Sequence, residues 1–180
     1  MEFRLCYDGK LPAAGPNYTR NADKNRIRRA STDGETAMTN PNPTHQAHDE
    51  IRSAIRELDA TVRRNIQNKN ADAMVDGYYA EDARVLPPGE GEIVGRENIR
   101  GVWRSLVAGG MVDLILDTKW IEPTSDTTAC GTGIATATLE PPNAPAVVMV
   151  GRYAVNFRRR EGQWRCVIDM YTIDMQRPVG

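Results

Sequence analysis

An aspartate in a mostly apolar stretch near the end of the chain is the residue whose position most suggests chemistry. Asp169 lies between Val167 and Tyr171 in a segment of period two, residues 163–173, which predicts a β-strand. Both sides of this strand are largely apolar, so alternation alone does not choose its inner face. A carboxylate enclosed in an apolar sheet is costly unless paired or used, and desolvation raises its pKa toward that of a general base. Asp169 is therefore our first candidate for a catalytic base.

Two further polar side chains could act with Asp169. Tyr153, in a predicted strand over 146–158, could donate its phenol proton to a substrate oxygen, as an oxyanion hole does. The alternative is a buried tyrosine whose hydroxyl is already satisfied. Arg63, on a predicted helix, could bind a ligand carboxylate in bidentate fashion, or it could be solvated. A third possibility is structural, because Asp169 could simply pair with Arg63 or with a donor of the sheet.

A pocket for an organic molecule also needs an apolar wall. Trp103 and Trp120 could supply it, although a role in the core is the alternative for both. The other candidate ligand-binding residues are Tyr79, Met149, Val167 and Tyr171. These residues predict that the partner is a small organic molecule.

Motifs for other kinds of chemistry do not occur in the sequence. It has no G-x-S-x-G, no G-x-x-x-x-G-K-[ST] and no G-x-G-x-x-G that opens a helix. His45 and His48 lie in a polar stretch with no cysteine or third histidine nearby, so we predict no metal site. Cys6, Cys130 and Cys166 are odd in number and far apart, which indicates neither a disulfide framework nor a zinc site. We predict no cofactor.

The charge of the chain is nearly balanced. With 23 Lys and Arg against 24 Asp and Glu, it has no net field to hold nucleic acid or an anionic membrane. No apolar run approaches the roughly 20 residues that span a bilayer. Residues 1–10 carry charges where a signal peptide needs an apolar block. We therefore expect a cytoplasmic protein with no nucleic-acid or membrane partner.

The chain divides by composition into an arm, a domain and a short tail. Residues 9–48 are rich in Pro, Asn, Thr, Gly and charge, and a segment of this kind cannot bury enough surface to offset its ordering entropy. Residues 1–7 alternate apolar and polar side chains and could instead add a short strand to a sheet edge. We predict a mobile polar N-terminal arm over 1–48, one domain over 49–175 and a tail over 176–180.

Three helices are predicted at the start of the domain. The first, 49–67, carries an apolar stripe at steps of three and four, formed by Ile51, Ile55, Leu58, Val62 and Ile66. A second, shorter helix begins after Asn70, a favourable N-cap residue. A third covers about 96–107 and ends at Gly109-Gly110.

After Gly110 the period changes from about 3.6 to 2, which predicts strands. Four are expected, at about 112–120, 127–139, 146–158 and 163–173. The short breaks between them have turn compositions and imply antiparallel neighbours. Three helices followed by a four-stranded meander predict an α+β domain with the sheet covering the helices.

Three local strings resemble the nuclear transport factor 2-like superfamily, in its SnoaL-like and ketosteroid isomerase-like branch. They are YYAEDARVLPPG at 78–89, GRENIR at 95–100 and GQWR at 162–165. The resemblance covers about 49–174. It implies a curved antiparallel four-stranded sheet wrapped over three N-terminal helices to form a cone with an internal pocket. It also implies that Asp169 faces this pocket and that two copies form a homodimer through the outer face of the sheet.

The resemblance does not extend to the isomerase residues. Ketosteroid isomerases hold the steroid between a tyrosine, an aspartate base and a protonated aspartate, and the matching positions here are Arg63, Pro87 and Tyr153. Proline cannot take a proton, which argues against that reaction in its familiar form. The superfold hosts many functions. We expect a cofactor-free acid–base enzyme of the isomerase, cyclase, dehydratase or hydrolase type, and the alternative is a non-catalytic dimeric ligand-binding or association domain.

Overall fold

The computed structural model describes residues 43–179, with side chains from residue 45 onward. The predicted mobile arm therefore lies outside the described residues as far as residue 42. Three α-helices are present, as predicted: α1 (Pro43–Gln67), α2 (Ala71–Tyr78) and α3 (Arg96–Ala108). Helix α1 begins six residues before its predicted start. Residues 43–48 carry no apolar stripe, so hydrophobic periodicity gives no sign that they are helical.

Within the described residues, seven β-strands form one sheet with α-helices packed on it. Their bounds are β1 (Tyr79–Leu86), β2 (Ile93–Val94), β3 (Met111–Ser125), β4 (Thr128–Leu139), β5 (Val147–Arg160), β6 (Gln163–Tyr171) and β7 (Met175–Pro178). The strand order is β2-β1-β6-β5-β4-β3, and β7 pairs with β5. Strand β1 runs parallel to β6, and every other pair is antiparallel. The sheet is therefore mixed.

The predicted α+β class is confirmed, and the sheet has three more strands than the four-stranded meander that was expected. Strands β3 to β6 are that meander. Two of the additional strands, β2 and β7, are short, and β7 is exposed along its whole length, so it has no burial pattern to reveal it. The residues expected as a tail from 176 onward thus include most of a strand paired with the Val147–Val150 end of β5.

The core lies between α1, α2 and the inner face of the sheet. Its most deeply buried large side chains come from both layers: Ile55, Ile66, Met74, Val75, Tyr79, Ile99, Phe157 and Cys166. Tyr78 packs edge-on against Tyr79 and Phe157, with ring centroids 5.0 and 6.0 Å apart. This geometry is favourable for aromatic pairs.

A β-bulge in β6 sets the face on which the candidate base lies. The pairing with β5 passes from Phe157↔Cys166 to Asn156↔Ile168, so Val167 is an extra residue between them. Strict alternation would place Cys166 and Ile168 on one face. Instead Cys166 is fully buried while Ile168 is 39% exposed. The bulge therefore brings Asp169 to the inner face beside Cys166, and this correction to the alternation could not be read from period two alone.

Helices α2 and α3 are joined by ion pairs at their outer surface. Arg100, whose side chain is 10% exposed, donates to Asp76 at 2.6 Å and to Glu97 at 3.1 Å. Arg104 forms a bidentate pair with Asp72 at 2.7 and 2.8 Å. The hydrogen bonds from these arginines hold the pKa of Asp72 and of Asp76 below the usual value. Arg100 itself is nearly covered, but its partners Asp76 and Glu97 are exposed, so solvent still screens the pairs.

Candidate functional site

Asp59 of α1 is a buried carboxylate that is not among the predicted site residues. It is only 6% exposed, and its Oδ1 has no hydrogen-bond partner among the described residues. Asp59 follows Ile55 by four residues and precedes Val62 by three, so it lies on the apolar stripe of the helix. This spacing is the signal that could have identified it. A charged residue on an apolar stripe is expensive to bury and calls for a partner or a role.

Two hydroxyl groups connect Asp59 to the sheet. Thr118 Oγ1 lies 2.5 Å from Asp59 Oδ2 and 2.6 Å from the Tyr153 hydroxyl oxygen. Thr118, Gly133 and Tyr153 are direct neighbours across β3, β4 and β5. A Cβ atom at Gly133 would lie 2.6 Å from the Tyr153 hydroxyl oxygen. The phenol of Tyr153 therefore lies over β4 in space that only glycine leaves free.

Asp169 is held by a different hydroxyl group. The phenol of Tyr79, at the start of β1, donates to Asp169 Oδ2 at 2.7 Å. Tyr79 is 1% exposed, so this hydrogen bond lies in the interior. Asp169 as a whole residue keeps some exposure, while its carboxyl group is enclosed by protein. We refer to Asp59, Thr118, Tyr153, Tyr79 and Asp169 together as the carboxylate cluster.

Burial makes both carboxyl groups of the cluster weak acids. Desolvation raises the pKa of Asp59 to about 6, and the negative charge of Asp169 adds to the rise. The hydroxyls of Thr118 and Tyr78 oppose it, although Tyr78 makes no hydrogen bond of good geometry to Asp59. Desolvation likewise raises the pKa of Asp169 to about 6, against the hydrogen bond from Tyr79. Among the described residues, no cation lowers the pKa of either group.

The phenols and the thiol around the two carboxylates are neutral. Desolvation is the main cause that raises the pKa of Tyr79 and of Tyr153 above the usual value, and it raises that of Tyr171 to about 12. These tyrosines therefore act as hydrogen-bond donors or acceptors at physiological pH. Desolvation also raises the pKa of the Cys166 thiol, so Cys166 is a neutral buried side chain and not a nucleophile.

Arg63 lies outside the cluster. Its guanidinium forms a bidentate ion pair with Asp113 of β3, both hydrogen bonds being 2.9 Å long, and its side chain is 46% exposed. The structural alternative in which Asp169 pairs with Arg63 is therefore wrong, whereas the alternative in which it pairs with a donor of the sheet agrees with the hydrogen bond from Tyr79 of β1. Asp169 has a phenol as its partner instead of a cation, since the bulge turns it toward Tyr79.

Trp120 also lies outside the cluster, because a second bulge shifts the face of β3. The register with β4 passes from Thr118↔Gly133 to Trp120↔Thr132, leaving Lys119 as an extra residue. Trp120 thereby turns to the outer face and is 49% exposed, so the prediction that it lines the inner wall is wrong. The other predicted wall residues are partly buried against the core: Trp103, Met149, Val167 and Tyr171.

Two surface depressions lie away from the cluster. One of about 640 Å³ is lined by residues 68–72 together with Arg104, Val107 and Ala108. The other, of about 400 Å³, is lined by Glu81 and residues 95–98. Neither is lined by a residue of the carboxylate cluster. An unusual chemical environment, not surface concavity, therefore identifies the cluster as the candidate site.

A metal site is not evident in the part of the chain that the structure describes. No three His, Cys, Asp or Glu residues within it are grouped so that they could hold an ion. The two buried carboxylates are bound to hydroxyl groups instead. None of the described helices has the length and apolarity to cross a membrane.

The family match and the shared fold together confirm the nuclear transport factor 2-like superfamily predicted from the three sequence strings. The family described as SnoaL-like domain matches residues 47–167. Because this match covers most of the chain, the protein belongs to the SnoaL-like domain family. No curated protein is significantly similar to it in sequence.

Solved structures share the fold at low sequence identity. Hexachlorocyclohexane dehydrochlorinase LinA-type3 from Novosphingobium barchaimii LL02 has a TM-score of 0.63 and 16% identity, over 76% of this chain and 94% of that chain. A ketosteroid isomerase-like protein from Erwinia carotovora atroseptica SCRI1043 has a TM-score of 0.60 and 15% identity, over 68% and 95%. An NTF2-like protein with a cystatin-like fold from Novosphingobium aromaticivorans has a TM-score of 0.56 and 20% identity, over 74% and 91%. These likenesses establish the fold alone.

Proposed function

We propose that the carboxylate cluster is the active site of a cofactor-free acid–base enzyme acting on a small apolar organic substrate. The reaction is of the isomerase, cyclase, dehydratase or hydrolase type. The observation that carries the proposal is the enclosed pair Asp59 and Asp169, which has hydroxyl partners and no cation among the described residues. A structural carboxylate in an interior is normally compensated by a cation. These two are kept as weak acids, which suits proton transfer near neutral pH.

Asp169 is the proposed base. Its Oδ2 accepts the hydrogen bond from Tyr79, which stabilises the ionised form, while desolvation raises its pKa to about 6. The balance leaves the carboxylate largely ionised at neutral pH and still basic enough to take a proton. Tyr153, a direct neighbour of Tyr171 across β5 and β6, is the proposed donor to negative charge that develops on a substrate oxygen.

The partly buried apolar side chains near the cluster support the proposed substrate class. Trp103, Met149, Val167 and Tyr171 pack against the core and are the proposed wall of the site. Apolar walls with a few placed polar groups are typical of small-molecule sites. The names of two fold neighbours, a hexachlorocyclohexane dehydrochlorinase and a ketosteroid isomerase-like protein, support a small organic substrate for this chain as well.

The test begins with a native mass spectrum of the protein purified from its host, because a retained molecule names the substrate to assay. Asp169→Asn keeps the shape and removes the base. We expect turnover to fall by roughly two to four orders of magnitude, the usual general-base contribution. Asp113→Asn is the matched control, since Asp113 lies outside the cluster and pairs with Arg63. Its turnover should stay near that of the wild type.

Unchanged turnover in Asp169→Asn would contradict the proposed role of Asp169. If the protein also holds a small molecule and leaves it chemically unaltered, it is a non-catalytic ligand-binding domain. In both cases the melting temperature of Asp169→Asn shows whether the carboxylate stabilises the fold.

We also propose a homodimer formed through the outer face of the sheet. Large apolar side chains from several strands are exposed on this face, among them Trp120, Ile134, Ile168 and Met170. A contiguous apolar surface is typical of a protein contact site. Sedimentation at micromolar concentration should therefore show a dimer, and Met170→Lys should shift it to a monomer. A wild-type monomer would contradict the proposal.

A further inference from the structure

Asp59, Thr118 and Tyr153 form a chain of hydrogen bonds in which each hydroxyl group has only one proton to donate. A threonine hydroxyl and a tyrosine hydroxyl each have one proton to donate. Thr118 Oγ1 contacts both neighbours, at 2.5 and 2.6 Å. Whether Asp59 carries a proton therefore decides the direction of both hydrogen bonds in the chain.

An ionised Asp59 can only accept. Thr118 must then donate its one proton to Asp59 Oδ2, and the Thr118 oxygen is left as an acceptor. The neighbouring Tyr153 hydroxyl satisfies it by donating to Thr118. In this state the phenol proton of Tyr153 is used inside the protein and is not available to a ligand.

A protonated Asp59 reverses the chain. Its proton favours Oδ2 over Oδ1, because Oδ1 has no partner among the described residues and a buried donor without an acceptor is costly. Asp59 then donates to Thr118, and Thr118 donates to the Tyr153 oxygen. The phenol proton of Tyr153 is released from the chain and can be donated to a ligand.

We propose that Asp59, acting through Thr118, decides whether Tyr153 donates its proton to the ligand. Asp59 and Thr118 are thus positioning residues for Tyr153. The inference rests on the proposed function in one respect, the role of Tyr153 as a donor. It adds a condition to that function: in the competent state Asp59 is protonated while Asp169 is ionised.

Titratable groups of α2, β5 and β6 face Asp59. Tyr78 of α2 lowers its pKa and the charge of Asp169 on β6 raises it. Cys166 of β6 and Tyr153 of β5 are neutral groups whose own pKa values Asp59 raises. None of these groups is a cation. A change in the charge of Asp59 therefore acts on the neighbouring hydroxyl groups, because none of these groups compensates the charge as an ion pair would.

Gly133 is the structural condition for the chain. A Cβ atom there would lie 2.6 Å from the Tyr153 hydroxyl oxygen and 2.6 Å from the carbonyl oxygen of Asp117. Either contact would displace Tyr153 from Thr118 or bend β4. Asp117 also raises the pKa of Tyr153 through its charge, and it is paired with Lys119 at the surface.

The test reads the two phenols in the ligand-free protein by NMR. The tyrosine ring carbons are labelled with ¹³C at the ζ position, and signals are assigned with Tyr153→Phe and Tyr79→Phe. Between pH 4 and 8, we expect the Tyr153 signal to move as Asp59 titrates and the Tyr79 signal to move as Asp169 titrates. Tyr79 is the internal control, because it contacts a carboxylate directly with no threonine between.

Four variants separate the two titrations and the path between them. Asp169→Asn should flatten the Tyr79 curve and keep the amplitude of the Tyr153 curve, with the Tyr153 midpoint moved to lower pH because the charge of Asp169 no longer raises the pKa of Asp59. Asp59→Asn should flatten the Tyr153 curve and keep the amplitude of the Tyr79 curve. Thr118→Val keeps the shape of the side chain but removes the hydroxyl, so Tyr153 should stop following Asp59. Thr118→Ser restores a hydroxyl and should restore the response.

The proposal is overturned if the chemical shift of Tyr153 does not change with pH in the wild type. It is also overturned if that pH response is lost in Asp169→Asn. A Tyr153 response that survives in Thr118→Val overturns it as well, since the coupling would then act through space. If Thr118→Val does not fold, Thr118→Ala removes the same hydroxyl and decides whether the coupling runs through Thr118. No substrate is involved, so these outcomes are independent of whether Asp169→Asn loses turnover.

Discussion

Carboxylates in the interior and at the outer surface of α2 have opposite pKa shifts and different partners. Asp72 and Asp76 face arginines of α3, and their pKa values are lowered mainly by hydrogen bonds from Arg104 and Arg100. Asp59 and Asp169 lie in the core, where no described cation reaches them, and burial raises their pKa values to about 6.

The interior carboxylates, which have no cation beside them, are the ones that need a functional explanation. The chain has 23 Lys and Arg, so cations are not scarce. At α2 and α3 they are placed beside the acids, as expected for groups that hold two helices together. In the core the acids meet only hydroxyls. Packing alone would favour apolar residues at Asp59 and Asp169.

The largest stability effect should come from neutralising the interior acids. Their folded-state pKa values are raised, so the stability they contribute is full below pH 4 and is lost as the pH rises through about 6. At pH 8, the free energy of unfolding of Asp59→Asn and of Asp169→Asn should each be roughly 1–3 kcal/mol higher than that of the wild type, so both variants should be more stable. Urea unfolding at pH 4 and pH 8 measures this.

Asp76→Asn is the contrasting variant from the surface. The pKa of Asp76 is lowered in the folded state, so its contribution is present above its unfolded value and is lost as the pH falls through the folded one. The variant should be slightly less stable than the wild type at pH 8. If the interior variants lose stability at pH 8 as Asp76→Asn does, the two regions do not differ in the way described.

A second, smaller effect should distinguish Arg100 from Arg104. Arg100 is nearly covered and pairs with Asp76 and Glu97, whereas the Arg104 side chain is 60% exposed. Arg100→Met should therefore lower the urea midpoint by more than Arg104→Met, because more acids lose their partner. Equal midpoints would show that solvent screens both pairs completely.

The smallest effect is expected at Arg63. Its pair with Asp113 is at the surface, and exposed ion pairs contribute little to stability. Arg63→Ala should leave both the melting temperature and the turnover close to wild type. A large loss of turnover would place Arg63 at the ligand after all and return it to the site.

The sequence predicts the elements better than the faces of the strands. The three helices and the four long strands carry clear periods and turn residues, and all are present. Period two along β3 would put Trp120 on the same face as Leu116, and one extra residue, Lys119, turns it outward. Bulges depend on how neighbouring strands pair, which the period of one strand does not contain.

The site could be predicted only in part for a similar reason. Asp169 and Tyr153 stand out as polar groups in apolar strands and do lie in the interior. The partners Tyr79 and Thr118 come from distant parts of the chain, so no local spacing links them. Asp59 could have been found, since it lies on the apolar stripe between Ile55 and Val62.

The bulge at Val167 makes the site depend on pairing register and not only on composition. Asp169 lies opposite Val155 on the inner face because Val167 stays outside the ladder. If Val167 paired with Asn156 instead, every later residue of β6 would change face, so Ile168 would turn inward and Asp169 would turn to solvent. A slip of one residue between two strands would therefore remove the carboxylate from the site without changing any side chain of the protein.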